Sequence, residues 1–398
     1  MIKRKLSELC IEGKGSYGIA ASAVAYSEDL YTYLRITDIN DDGTLNKSDL
    51  KSVDDENASS YILKPNDIVF ARTGGSTGRN YFYDGHDGEF VYAGFLIKFS
   101  IDPEKVNPKF IKYYCLSEPY KNWVQSFNTG STRGNINAQT YANMEIDLPS
   151  RDQQDLLVKI LSSLDDKIEL NNKINANLEQ QAQALFKSWF VDFEPFGGEM
   201  PAEWKEVGFK DICINITDGV HNTVVDDPNG TYLLLSCKNI KGGVLSISSD
   251  ERLINEETFL KLRKRTKLEK GDILLSSVGT IGEMFLLNEE PTNFEFQRSV
   301  AIIKPDNSKI SSAFLYESML QQKDTIIHSA HGAVQQCIFI SDIGDFKIIL
   351  PTLEVINKYT GIVQPMLDTI TANQNENKKL SNLRDTLLPK LMNGEIEI

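Results

Sequence analysis

No apolar run in this sequence approaches the ~18 residues needed to cross a bilayer, and the N-terminus lacks the charged start and apolar core of an export leader. The expectation is a cytoplasmic protein with no membrane partner. Five cysteines (Cys10, Cys115, Cys213, Cys237, Cys337) are scattered without a close pair, which gives neither a disulfide framework nor a zinc spacing. His328 and His331 are three apart, but no third ligand is spaced to join them, so a surface or core role is favoured over metal. The loop Gly74-Gly-Ser-Thr-Gly78 lacks the Lys-Ser/Thr of a phosphate loop. Cationic charge is also short: the formal net charge of −14 argues against a non-specific nucleic-acid coat. It leaves local basic faces possible, because net charge describes the average surface. No nucleophile, metal or cofactor site stands out.

Helix breakers are missing from one long stretch. There is no proline between Pro149 and Pro195, and no glycine between Gly134 and Gly197. Within it Leu157, Leu161, Leu164, Ile168, Asn171, Asn175, Leu178, Ala182, Leu185 and Trp189 follow each other by fours and threes. That is a coiled-coil seam with two polar positions at its centre. Some 35 residues of helix span about 50 Å, longer than one compact core needs, so the stretch reads as a spacer. The chain, at 398 residues, can hold two full cores. Upstream of Leu148 the pattern is β-rich: a strand from Tyr33 to Ile39, Asp67 to Ala71, a Gly-rich loop, and a strand from Phe90 to Phe99. Pro108 to Tyr114 reads as a short helix.

The whole arrangement recurs. Leu148-Pro-Ser returns 202 residues later as Leu350-Pro-Thr, and the same offset carries Gly130 to Gly332 and Ile146 to Ile348. It also carries the seam to Tyr359, Val363, Met366, Ile370, Asn373, Asn377, Leu380, Arg384, Leu387 and Leu391. With small gaps, Gly78 corresponds to Gly282. The second helix is less regular: Pro365 interrupts it and Arg384 sits on its seam, so its unbroken part is expected to begin near Pro365 and to weaken by Pro389. The fold class is α+β: two β-rich domains alternating with two long helices, an internal pseudo-two-fold repeat whose helices pair as an antiparallel coiled coil. The segments are 1–150, 151–196, 197–352 and 353–398. Antiparallel packing about the repeat predicts that Asn171 meets Asn377 and that Asn175 meets Asn373, fixing register. Solvent-facing asparagines, or a crossing shifted by one turn to Leu178, are the alternatives.

Leu148 to Phe190, its repeat, and the ending Leu388-Pro-Lys-Leu-Met-Asn-Gly-Glu-Ile resemble the conserved regions of type I restriction–modification specificity subunits. The resemblance covers essentially the whole chain. It implies two target-recognition domains on double-stranded DNA and a non-catalytic subunit that selects a two-part sequence. It also implies two methyltransferase subunits as partners, and restriction (translocase/endonuclease) subunits in the full complex. No cofactor is expected on this chain; S-adenosylmethionine would belong to the methyltransferase subunits. Asn107-Pro-Lys-Phe110 is similar to the Asn-Pro-Pro-Tyr/Phe tetrapeptide of adenine methyltransferases, but it lacks the second proline and reads as a helix N-terminus. The rival class is a protein–protein adaptor whose domains bind protein and whose helices act as a strut.

Donor-rich loops are the candidates for reading DNA. In the first copy they are Arg72, Thr73, Ser76, Thr77 and Arg79 on the Gly-rich loop, with Arg133, Asn135 and Asn137 beyond Gly130. Arginine suits guanine, and asparagine or glutamine suits adenine. The second copy offers Ser277 and Thr280 without the arginines, and Gln335 and Gln336 opposite Arg133 to Asn137. Turn residues that cap strands are the competing reading at each position. Gln297 and Arg298 precede a strand and are weaker candidates. Lys261, Arg263, Lys264, Arg265 and Lys267 form the only dense basic run, a patch for phosphates or else a solvated helical face. Leu156, Ile160, Leu170, Ile174, Phe186 and Phe190 lie off the seam and are available to partner subunits, or to the chain's own domains.

Overall fold

A computed structural model describes residues 2–127, 134–248, 250–332 and 336–396, so Arg133 and Gln335 lie outside the described residues. The chain forms two compact units. Unit 1 is Met1–Ile168 with Lys379–Ile398, and unit 2 is Glu169–Lys378. Each unit therefore holds one β-rich domain and a portion of both long helices.

In unit 1 an antiparallel sheet runs in the order Ser16–Tyr17, Leu96–Ser100, Asp67–Ala71, Asn80–Tyr83. The central strand, Asp-Ile-Val-Phe-Ala, is buried at every position. It shows no polar alternation because both faces are covered. Ile68 and Phe70 join a core with Phe99, Tyr113 and Tyr141, while Val69 and Ala71 join Leu34, Ile39 and Tyr92. A second sheet, Ala23–Ala25, Lys51–Val53, Tyr31–Leu34, Phe90–Tyr92, closes that other face and contains one parallel pair. The expected strand from Tyr33 to Ile39 stops at Leu34, where Ile36–Asp38 tightens into a 3-10 turn. Asp38 draws that turn in by accepting from the Arg35 backbone N–H and its guanidinium. The expected single strand from Phe90 to Phe99 is two strands, Phe90–Tyr92 and Leu96–Ser100, one in each sheet. The chain changes sheet at Gly94, where an added Cβ would lie 3.2 Å from the Ile19 carbonyl oxygen. Ile2–Lys5 pairs with Glu145–Leu148 and ties the two ends of the domain together.

Unit 2 repeats this plan. Its main sheet is Cys213–Asp218, Val300–Pro305, Ile273–Ser276, Met284–Leu286. Tyr232–Leu235 runs parallel to Phe294–Phe296 in the smaller sheet, and Lys205–Gly208 pairs with Lys347–Leu350. Ile273 and Leu275 face one core, and Leu274 faces the other.

The first long helix is Arg151–Phe190. Ser150 begins it: its hydroxyl accepts from the Gln153 N–H at 3.4 Å, and the Gln153 side chain accepts from the Ser150 N–H at 3.2 Å. The second long helix is Leu353–Met392, continuous through Pro365 and Pro389, so it starts a full three turns before the expected point. Interior proline costs about 3 kcal/mol. Against this, Ile356, Tyr359 and Val363 are all fully buried in the unit 2 core. Each large apolar side chain contributes about 1.5–3 kcal/mol on burial, which outweighs the lost bond.

Within unit 1, Leu157, Leu161, Leu388 and Leu391 share the domain core. Arg384 does not weaken its helix: it donates to Asp165 at 3.0 Å, and Asp165 also accepts from Lys112 at 2.9 Å and Tyr113 at 2.8 Å. Burial alone would raise the Asp165 carboxyl, but Lys112, Tyr113 and Arg384 hold it below its ordinary range. Within unit 2, the Asn171 amide donates to Asn377 Oδ1 at 2.9 Å and to Glu376 at 2.8 Å, while Asn373 donates to Asn175 Oδ1 at 2.8 Å. Asn171 is fully buried. These bonds require that the two helices run antiparallel here. Phe186 and Phe190, two of the off-seam residues, turn inward onto Phe314 and Tyr359 of their own unit. Leu156, Leu170 and Ile174 stay exposed.

Candidate nucleic-acid interface

Glycines position the tip of each domain. Gly78 has φ +90°, and a Cβ there would lie 2.4 Å from Val124 Cγ1; Gly282 has φ +87°, with Ile327 Cγ1 at 2.5 Å. Both positions need the left-handed region and a close approach, so only glycine serves. Gly18 and Gly219 are a second matched pair. A Cβ at Gly18 would lie 2.2 Å from the Tyr92 carbonyl oxygen, and one at Gly219 would lie 2.1 Å from that of Phe296.

In unit 1 these constraints bring three segments together. The Arg72 N–H donates to the Phe95 carbonyl at 3.1 Å, the Ile136 N–H donates to the Arg72 carbonyl at 2.9 Å, and Thr73 bridges Asn135. The Gly-rich loop and the segment after Gly134 thus form one surface. The Arg72 guanidinium lies 5.1 Å from the Tyr17 ring centre, and its buried Nε has no acceptor among the described residues. Tyr17 and Phe95 are 42% and 57% exposed, large apolar areas for a loop tip. Neither was among the sequence candidates. Gly94 inside an apparent strand was the available signal, since it marks a kink that throws Phe95 outward.

Three loop candidates are engaged internally. The Arg79 fork closes on Asp41, at 2.6 and 3.1 Å, and on the Ile39 carbonyl. The Thr77 hydroxyl donates to the Gly74 and Gly134 carbonyls. Asn137 Oδ1 caps the helix Ala138–Ala142 by accepting from the Thr140 N–H at 2.9 Å. Thr73 and Ser76 are half-buried on the loop, and Asn135 is exposed. Asn107 caps Pro108–Tyr114 by accepting from the Lys109 N–H.

The unit 2 tip has the same scaffold and different chemistry. The Ser277 N–H bonds the Ser299 carbonyl, and the Ser277 carbonyl accepts from Ile338, which repeats the connections of Arg72. Ser277 is buried, and its side chain is not presented at the surface. Where unit 1 has Tyr17 before its glycine, unit 2 has Asp218, which is 2.6 Å from His221 Nε2. Thr280, Arg298 and Gln336 are exposed, and Gln297 is half-buried. The basic run lies on the helix Glu256–Thr266 and its cap at Lys267. Two of its cations are held within the unit. Arg263 donates to Glu295, which is fully buried, and to the Pro291 and Phe294 carbonyls. Arg265 donates to the Asp218 and Gly219 carbonyls. Glu295 demands the arginine because a buried carboxylate without a partner is costly. Lys261, Lys264 and Lys267 remain exposed.

Unit 1 thus presents an arginine over the exposed Tyr17 ring, with exposed Phe95 on the segment that the Arg72 backbone bonds. A guanidinium fork matches guanine O6 and N7, and an apolar ring matches a thymine methyl or a base face. Among the described residues no group of three or more His, Cys, Asp or Glu could hold a metal, and no helix is long and apolar enough to cross a membrane.

The comparisons with known proteins agree with this duplicated layout. A family model described as the type I restriction modification DNA specificity domain matches residues 3–180 and again residues 201–382. The chain is 28% identical over 310 residues to the type I restriction enzyme MjaIX specificity subunit of Methanocaldococcus jannaschii, covering 75% of this chain and 71% of that protein. It is 24% identical over 456 residues to the HindI specificity subunit of Haemophilus influenzae, covering 96% of this chain and 98% of that one. The fold is similar to that of the type I S subunit from M. genitalium, with a TM-score of 0.56, 17% identity and coverage of 98% and 95%. The chain belongs to the family of type I restriction–modification DNA specificity subunits.

Proposed function

We propose that this chain selects a two-part DNA sequence, one half at each domain tip, for a type I restriction–modification complex. The observation that carries the reading is the equivalence of the tips. Arg72 and Ser277 hold the same backbone position, and the same scaffold carries Arg72 and Tyr17 at one tip but buried Ser277 and Asp218 at the other, so the two tips present different chemistry, as two half-sites of different sequence require. The chain itself is non-catalytic. Two methyltransferase subunits bind S-adenosylmethionine and modify the target, and restriction subunits complete the assembly in the cytoplasm. Exposed Leu170 and Ile174 on the first long helix, with Ile362 on the second, support docking of the methyltransferase subunits on the helices. A 40-residue helix spans about 60 Å, enough to serve half-sites ~34 Å apart. A protein–protein adaptor is not favoured, given the family.

The test is methylation mapping in a cell that carries the complex with Arg72→Ala and, separately, Phe95→Ala. Bases in one half-site become degenerate while the other half-site and the gap stay unchanged. Unaltered recognition in both variants would remove the unit 1 tip from DNA reading.

A further inference from the structure

Unit 2 contains a half-open cavity of about 360 Å³, within the ~300–1,000 Å³ range of small-molecule sites. The two long helices contribute Glu179, Gln183 and Gln374 to it, and the helix Ser312–Gln321 contributes Tyr316 and Glu317. The turn at Gly242–Gly243 leans over it: Gln374 donates to the Gly243 carbonyl at 3.3 Å, and a Cβ on Gly243 would stand 3.8 Å from Glu179 Oε1. Glu317 is 97% buried, and its Oε2 has no hydrogen-bond partner among the described residues. A buried carboxyl left unpaired is costly, and in native structures such a group points to a missing partner. The one cation on the lining, Lys323, is already held by Glu283 at 2.8 Å.

We propose that the cavity binds a small aliphatic amine, with its ammonium group between Glu317 and Glu179 and its chain against Leu367 and Ile370. A bare metal ion is disfavoured, because among the described residues no group of three or more His, Cys, Asp or Glu is placed to hold one. An ammonium needs only three acceptors, and the Gln183 and Gln374 side chains complete the set. The apolar wall on the second long helix suits methylenes. Burial first, and then the Glu179 charge, push the Glu317 carboxyl up to about 8, and burial raises Glu179 as well. The other ionisable groups packed around Glu317 are Tyr316, Tyr359, Glu283 and Lys323. Amine binding therefore expels a proton from Glu317 below that pH, and affinity rises from pH 6.5 to pH 8.5.

The experiment is calorimetric titration of the full chain with 1,4-diaminobutane at matched ionic strength, across that pH range. Saturable one-to-one binding with proton release is expected. Glu317→Gln and Glu179→Gln should each weaken it roughly tenfold or more, as loss of a charged hydrogen-bond partner does. The exposed Glu257→Gln should leave it unchanged. Glu317→Gln keeps the size and neutrality of the protonated acid, so circular dichroism and the urea midpoint at pH 6 identify a folded variant. Absence of saturable binding, or equal binding by the wild type and Glu317→Gln, overturns the proposal. A lysine side chain from a partner subunit would present the same ammonium. In that case the methyltransferase complex no longer takes up the diamine although the free chain does; uptake by both marks a free amine as the occupant.

Discussion

If the helix pair sets the distance between half-sites, lengthening both helices at the points where the chain passes from one unit to the other should change the gap and nothing else. The boundaries fall between Ile168 and Glu169 on one helix and between Lys378 and Lys379 on the other. Four residues inserted at both points leave Asp165–Arg384 intact in unit 1, and Asn171–Asn377 intact in unit 2. They add about 6 Å of rise and turn each helix about 40° beyond a full revolution. Two extra base pairs add about 6.8 Å and turn the DNA by roughly 70°, so the rise nearly matches and the rotation differs by about 30°. Single-molecule mapping of methylated adenines should then show both half-sites unchanged and the gap longer by about two base pairs. An insertion at only one point should abolish activity, because one helix would carry an unpaired turn. Altered half-sites with the original gap would refute the ruler. So would an unchanged gap in a fully active double insertion.

Three further outcomes follow from side-chain environments. Asn171→Ala removes the donor to Asn377 and Glu376 inside the helix pair and should cost about 1–3 kcal/mol in urea denaturation. A wild-type midpoint would show that these bonds add no net stability. Arg263→Ala strands the Glu295 carboxylate and should cost about 3–5 kcal/mol, whereas Lys261→Glu with Lys264→Glu should leave stability alone and flatten the salt dependence of DNA binding. Equal stability of the two variants would contradict that division of the basic run. Glu317 gives the pH dependence: its carboxyl titrates near 4.5 unfolded and at about 8 folded, so the folded state holds a proton that the unfolded state has lost. Its contribution is complete below pH 4.5 and is lost as pH rises through 8. The wild-type urea midpoint should therefore fall more steeply than that of Glu317→Gln between pH 5 and pH 8. Asp272 and Glu295, also raised by burial, act with the same sign in both proteins and cancel in the comparison.

The repeat made the helices and their central asparagines legible, because a seam copied at a constant offset constrains both partners at once. Register and orientation at Asn171–Asn377 followed from that symmetry. The start of the second helix did not, because Pro365 is a local signal overruled by burial of Ile356, Tyr359 and Val363. The tips were harder for a different reason. Arg79 and Arg263 look like free cations in sequence, but their acceptors, Asp41 and Glu295, are 38 and 32 residues away. Phe95 was hidden in the opposite way: a β-rich run read as one buried strand conceals the single residue that a glycine kink turns outward.

These corrections point to how such a chain changes specificity without changing fold. The backbone at each tip is fixed by Gly18, Gly78, Gly219 and Gly282, which lack a side chain to vary, and by main-chain bonds that any residue can make. Arg72 and Ser277 make the same two main-chain bonds, so the backbone at that position does not depend on which side chain it carries. Arg79 and Arg263 are different, since each neutralises a particular carboxylate. Substitution at Arg72, Phe95 or Arg298 should therefore move the recognised bases at little cost in stability, while substitution one strand deeper should do the reverse. A tip so built separates what it reads from what holds it in place.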